Sequence, residues 1–97
     1  MAMTYEETAE LMNDTTFKNR MSIACVNFAR YITDEPANTP AHSTRYRWAQ
    51  SALASPSGAV MQIIPTVVTD PEVQADGAAI SDADLQTAVE TAVNKLL

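Results

Sequence analysis

The sequence predicts an all-α fold, a compact bundle of four to five short helices in one domain, with an irregular or kinked middle segment around Pro65. Three observations carry this expectation. Glycine occurs only twice in 97 residues, too seldom for the tight turns of an all-β chain. Apolar residues recur at three- and four-residue spacing through Phe17–Ile32 and again from Leu85 to Leu96, which is helical periodicity. Residues that cap helices stand just ahead of these stretches. A chain of this length is one domain by default. It buries only about 60–65% of the surface its unfolded form exposes, so contacts with a partner or with further copies of itself add useful stability.

The elements follow in order. Thr4 and Glu7 have the spacing of a capping box, in which the Thr4 hydroxyl accepts from the Glu7 amide and the Glu7 carboxylate accepts from the Thr4 amide. The first helix is expected from Tyr5 to Met12, with Leu11 and Met12 facing the core. Asn13 and Asp14 break it, and either can cap the next helix. That second helix, expected from Thr16 to Thr33, places Phe17, Met21, Ala24, Cys25, Phe28, Tyr31 and Ile32 on one face. The run Asp34-Glu35-Pro36-Ala37-Asn38-Thr39-Pro40 ends it, because each proline restricts the residue before it.

Thr39 is a suitable N-cap and Pro40 a suitable first residue for a third helix. Ala41, Trp48, Ala49, Ala52 and Leu53 share one side of that helix, with Arg45 and Tyr46 flanking it. Ser55-Pro56-Ser57-Gly58 reads as punctuation. From Val60 to Val68 two patterns compete. Val60, Met61, Ile64, Val67 and Val68 have helical spacing, while Pro65 and the β-branched residues around it would suit a short strand. No second strong strand is present to pair with it, so a kinked or two-piece helix is expected. Residues 70–80, rich in Asp, Pro, Gly and Ala, read as a loop. Ser81, with Asp84 in the reciprocal position, then caps a last helix whose apolar stripe is Leu85, Ala88, Val89, Ala92, Val93 and Leu96.

Charge is unevenly distributed along the chain. The net charge is −6. Residues 1–14 carry Glu6, Glu7, Glu10 and Asp14 and no base. Residues 15–50 are basic, with Lys18, Arg20, Arg30, Arg45 and Arg47 against Asp34 and Glu35. Residues 51–97 are acidic again, with Lys95 the one base. This order does not suit a general nucleic-acid binder, which needs a basic face. It suits either a mixed, solvated surface or copies that pack acidic part to basic part. No charged-then-apolar leader and no apolar run near 18 residues is readable, so neither a signal peptide nor a membrane span is expected.

No catalytic constellation is recognisable, and no cofactor or metal site is expected. His42 is the single histidine, and Ser43 and Thr44 are its neighbours rather than partners across a site. Cys25 lies on the apolar face of the second helix, where a thiol is structural. Asp76, Asp82 and Asp84 lack the glycine and the final glutamate of a calcium loop, and aspartates at a helix N-terminus explain them. Asp34 and Glu35 are adjacent and diverge. Gly58 and Gly77 are isolated, so no phosphate loop exists.

The most distinctive cluster is Arg45-Tyr46-Arg47-Trp48. Arginines beside aromatics serve protein interfaces and nucleic-acid sites alike, and the same pattern arises when arginine stems cover the edge of a core tryptophan. Arg45, Arg47 and Trp48, with Leu96 and Leu97 at the end of the last apolar stripe, are therefore the candidate protein interface.

Taken together, several spaced residues resemble a group of small helical proteins encoded among the structural genes of tailed bacteriophages and prophages. They are Phe17 and Arg20, Asp34-Glu35, then His42, Arg45, Trp48, Ala49 and Leu53 before Pro56. They continue with Asp70-Pro71, the helix opening Ser81-Asp82-Ala83-Asp84-Leu85, and Asn94. The resemblance covers about residues 14 to 96 and rests on single positions rather than on a tight motif. Pro65 and the proline-containing segment before Ser81 depart from the plainer helical pattern. The resemblance implies a virion component without enzymatic activity, in first place a ring-forming head–tail adaptor or connector of the phage neck. Its implied partners are copies of itself and other virion proteins such as portal, tail or capsid. Its implied location is the virion, after the host cytoplasm. A capsid cement or other minor virion protein, and a small regulator that binds a host protein or nucleic acid, stay open as alternatives.

Overall fold

The computed structural model describes residues 2–34 and 43–97. The described residues form six α-helices, α1 (Tyr5–Asn13), α2 (Thr15–Asp34), α3 (Thr44–Ala54), α4 (Pro56–Val67), α5 (Pro71–Asp76) and α6 (Asp82–Leu96), with a 3-10 turn at Gly77–Ala79 before α6. The all-α expectation holds, and the helices number one more than the upper expectation. No strand forms among the described residues.

Local chemistry sets most helix boundaries. The capping box at α1 is complete, with the Glu7 N–H donating to Thr4 Oγ1 (3.1 Å) and the Thr4 N–H donating to Glu7 Oε1 (2.9 Å). Asp14 both ends α1 and starts α2, its carboxylate accepting from the Phe17 N–H at 2.7 Å. α3 starts at Ser43, whose hydroxyl accepts from the Tyr46 N–H at 3.1 Å. The expected cap at Thr39, with Pro40 and Ala41 after it, lies outside the described residues. Ser81 caps α6 by accepting from the Asp84 N–H at 3.1 Å.

α2 is the longest helix, and α3, α4 and α6 pack around it. Phe17, Met21, Ala24, Cys25, Phe28, Ala29 and Ile32 of α2 are buried against Trp48, Ala49 and Ala52 of α3, Val60, Ile63, Ile64 and Val67 of α4, and Leu85, Val89 and Val93 of α6. Buried alanines on all four helices let the backbones approach closely. Several residues that periodicity places on apolar faces are exposed, Met61 and Leu96 among them. Tyr31 is 58% exposed, at the edge of the α2 stripe, where its ring stacks on Phe28 at 6.4 Å and its hydroxyl keeps access to water. Leu53 stands at the rim of α3 and is 39% exposed.

The middle of the chain narrows one expectation, since the helix around Pro65 is not in two pieces, and corrects two others. α4 runs as one helix through Pro65 to Val67. Pro65 removes the backbone donor that would meet the Met61 carbonyl, which costs about 3 kcal/mol in a regular helix. Burying the side chains of Ile63, Ile64 and Val67 contributes about 1.5–3 kcal/mol each and outweighs that cost. Pro65 and Met61 are both exposed, so the proline stands on the solvent side. Secondly, Ser55 alone separates α3 from α4, and Pro56 is the first residue of α4 rather than part of a loop. Thirdly, most of residues 70–80 is helical. The Asp70 carboxylate accepts from the Glu72 N–H at 2.9 Å, Pro71 opens α5, and Val73 is fully buried. Gly77, at φ +56°, ends α5 in a conformation that residues with a Cβ rarely adopt. Ile80 then returns to the core.

α6 runs alongside α2 in the same direction. Arg20 meets Asp82, Gln86 Nε2 donates to the Ala24 carbonyl at 3.0 Å, and Arg45 joins Phe28 to Asn94 farther along. α1 and α5 lie together near the start of α2, where Gln74 Nε2 donates to Thr8 Oγ1 at 3.4 Å. The molecule measures 41 × 21 × 19 Å. Acids of residues 1–14 and Glu72, Asp76, Asp82 and Asp84 therefore lie toward the same end of its core helix.

Candidate interaction surface

The five candidate interface residues divide into two groups. Arg45 is half-buried and engaged within the fold. Its guanidinium carbon lies 4.9 Å from the centroid of the Phe28 ring, and Nη1 donates to Asn94 Oδ1 at 2.6 Å. It fastens α3 to α2 and α6. Arg47, Trp48, Leu96 and Leu97 come together in an open groove of about 370 Å³ that Thr44, Ser51 and Gln62 complete.

Trp48 belongs to both core and groove. It is 6% exposed, and its ring is tilted 51° against Phe28 at 5.9 Å. Its Nε1–H is buried and has no hydrogen-bond partner among the described residues. Trp48, Ser51 and Gln62 also line a second depression of about 230 Å³ between α3 and α4, so the indole is the shared wall of a continuous surface feature. Leu96 and Leu97 are 45% and 44% exposed. Arg47 is exposed at the rim. Periodicity places α3's apolar side but gives no sign of Gln62, which reaches the groove from α4.

At the opposite end of α2 a larger groove of about 560 Å³ opens between α1 and α5. Glu7, Glu10, Asp14 and Asp76 line it together with Met3 and Leu11, and no basic residue does. The Glu7 carboxyl is held below the ordinary glutamate range, first by the Thr4 backbone N–H and then by the Thr4 hydroxyl. Beyond this groove Glu72, Asp76 and Asp84 bring carboxylate oxygens within 4.8 Å of one another. All three are exposed; Glu72 and Asp84 stand in the first turns of α5 and α6, which favour negative charge, and Asp76 ends α5. Of the aspartates grouped from sequence, Asp82 does something else. It accepts from Arg20 Nη2 at 2.9 Å and from Nε at 3.2 Å, while Arg20 also donates to the Ala78 carbonyl at 3.0 Å and to the Ile80 carbonyl. Arg20 thereby secures the turn between α5 and α6.

The reactive side chains do not assemble into a catalytic site among the described residues. Cys25 is fully buried, and burial pushes its thiol up to about 12, so it is protonated at neutral pH. His42 and Glu35 lie outside the described residues. No described helix is long and apolar enough to cross a membrane. Compared with protein families, curated proteins and solved structures, the chain matches none of them.

Proposed function

We propose that the protein acts through contact rather than catalysis, as a structural component of a tailed-phage particle and in first place as a subunit of a ring-forming head–tail adaptor or connector. The observation that carries the contact reading is the groove of Arg47, Trp48, Leu96 and Leu97, where two half-exposed leucines stand beside an almost buried indole and an exposed cation. Scattered exposed apolar residues are ordinary on small proteins. Here they are contiguous and rimmed by charge, the composition of a protein interface core. The phage assignment is drawn from the sequence resemblance, which implies a helical protein, and the chain is all-α. On this reading its partners are copies of itself and the portal, tail or capsid, and it passes from the host cytoplasm into the virion.

The testing measurement is the mass of the purified full chain, by light scattering or native mass spectrometry, with and without phage heads. An adaptor gives a fixed multimer alone or on a portal. A cement protein binds shells that lack a portal. A strict monomer that binds no virion part overturns the reading.

A further inference from the structure

We infer that the Arg47–Trp48 groove of one copy receives the acidic α1–α5 end of a second copy, in a head-to-tail contact. The inference deepens the multi-copy reading and rests on it. The two surfaces lie at opposite ends of α2, whose 20 residues span about 30 Å. The α1–α5 groove belongs with Asp14, just before α2 begins. The Trp48 groove lies toward the other end, where Trp48 meets Phe28 and where α6, running parallel to α2, ends at Leu96.

Their charges are complementary. Among the described residues Glu10 lines the acidic groove without the intramolecular bonds that occupy Glu7 and Asp14. Arg47 rims the other groove, and Arg30 is exposed in the last part of α2, while Lys95 lines a separate depression together with Asp70. Among the described residues Asp34 closes α2, and Glu90 of α6 is partly covered and accepts from Gln86. The apolar components also correspond. Met3 and Leu11 line the acidic groove, and Leu96 and Leu97 line the basic one.

Because the two patches differ, the contact is heterologous, and repetition yields a ring or an open chain rather than a closed dimer. The 21 × 19 Å cross-section allows on the order of 400 Å² per copy, at the low end for specific contacts. A single contact is therefore weak, and ring closure strengthens it by making the last contact intramolecular.

Sedimentation velocity of the full chain tests this. At low salt the wild type shows multimers that grow with concentration, and raising salt dissociates them. Arg47→Glu and Glu10→Arg, both at exposed positions, each weaken association by roughly tenfold or more by turning an attraction into a repulsion. An equimolar mixture of the two variants associates again, because each supplies the charge the other lacks. Circular dichroism checks that both remain helical. A wild type that is monomeric at every concentration, or variants that associate as the wild type does, overturn the inference. Cosedimentation with phage heads separates the two ideas. A monomer that binds heads overturns this contact and leaves the proposed function standing, while a head-to-tail assembly that binds no virion part does the reverse.

Discussion

The guanidinium of Arg45 lies over the ring of Phe28, 4.9 Å from its centroid, and so covers a core aromatic with a charged side chain. The same group reaches Asn94 Oδ1 at 2.6 Å. Three helices thus meet at one residue. A cation over an aromatic face contributes about 0.5–1 kcal/mol near the surface, and a hydrogen bond from a charged donor about 1.5–3 kcal/mol when shielded. Arg45 is half-buried, so the lower part of both ranges applies. Arg45→Ala is expected to lower unfolding free energy by about 1–2 kcal/mol in urea titration. Asn94→Ala should cost less, because it leaves the ring contact in place. Equal losses would assign the whole effect to the Asn94 bond.

Arg20 and Asp82 form an ion pair at 2.9 Å whose two members differ sharply in exposure, 24% against 93% for the side chains. An exposed pair is worth about 0.2–1 kcal/mol. Arg20 also donates to the carbonyls of Ala78 and Ile80, which lie in the turn that positions α6. Arg20→Ala is therefore expected to cost about 2–3 kcal/mol, and Asp82→Ala less than about 1 kcal/mol. Thermal melts of both variants decide it. If the two lose the same stability, the carbonyl contacts contribute nothing beyond the ion pair.

What was legible in the sequence follows a physical rule. α2 and α6 combine long apolar periodicity with a capping residue, and α1 has a complete capping box, so local and tertiary preferences agree. The segment 70–80 misled because its composition is that of a loop, while its length of helix depends on Val73 and Ile80 reaching the core. A signal was nevertheless present. Ser55-Pro56 and Asp70-Pro71 share a sequence pattern, a residue of N-cap type followed by proline at the first helical position, although only the Asp70 side chain makes a cap bond. Both have the composition of breaks, yet each begins a helix. Tyr31 shows the complementary error, since a residue at the edge of an apolar stripe has no periodicity signal to say whether a neighbour covers it. In the interface set, Arg47, Trp48, Leu96 and Leu97 do converge, but only the tertiary register of α3 against α6 could bring them there. That Asp82 and Asp84 lie near the acids of α1 likewise depends on α6 running parallel to α2.

Trp48 and the two terminal leucines separate stability from association. Trp48→Ala removes a nearly buried indole and is expected to cost about 3–5 kcal/mol. Trp48→Phe should cost much less, since it keeps the contact with Phe28 and removes the donor that lacks a partner. Leu96→Ser with Leu97→Ser changes residues that are almost half-exposed, so the melting curve should move little. Its sedimentation profile should shift toward monomer. A large loss of stability with unchanged association would place these leucines in the core of the monomer instead.

Glu7 makes the first helix sensitive to acid. Its carboxyl is held below the usual value of 4.5 because it accepts from the Thr4 backbone N–H and bonds the Thr4 hydroxyl. The folded value is depressed, so the stability it contributes is present above the unfolded value and is lost as pH falls through the folded one. α1 makes few contacts with the rest of the fold beyond Leu11, so the loss should appear as local fraying of α1 rather than as global unfolding. Carboxyl-carbon NMR titration is expected to give Glu7 a midpoint below 4.5, with the Thr8 and Glu7 amides losing exchange protection over the same range. Thr4→Ala should weaken protection already at neutral pH and return the Glu7 midpoint toward its ordinary value, because the hydroxyl is gone and the helix start that presents the Thr4 amide is loosened. A Glu7 midpoint unchanged by that substitution would show that the capping box does not hold this carboxylate in solution.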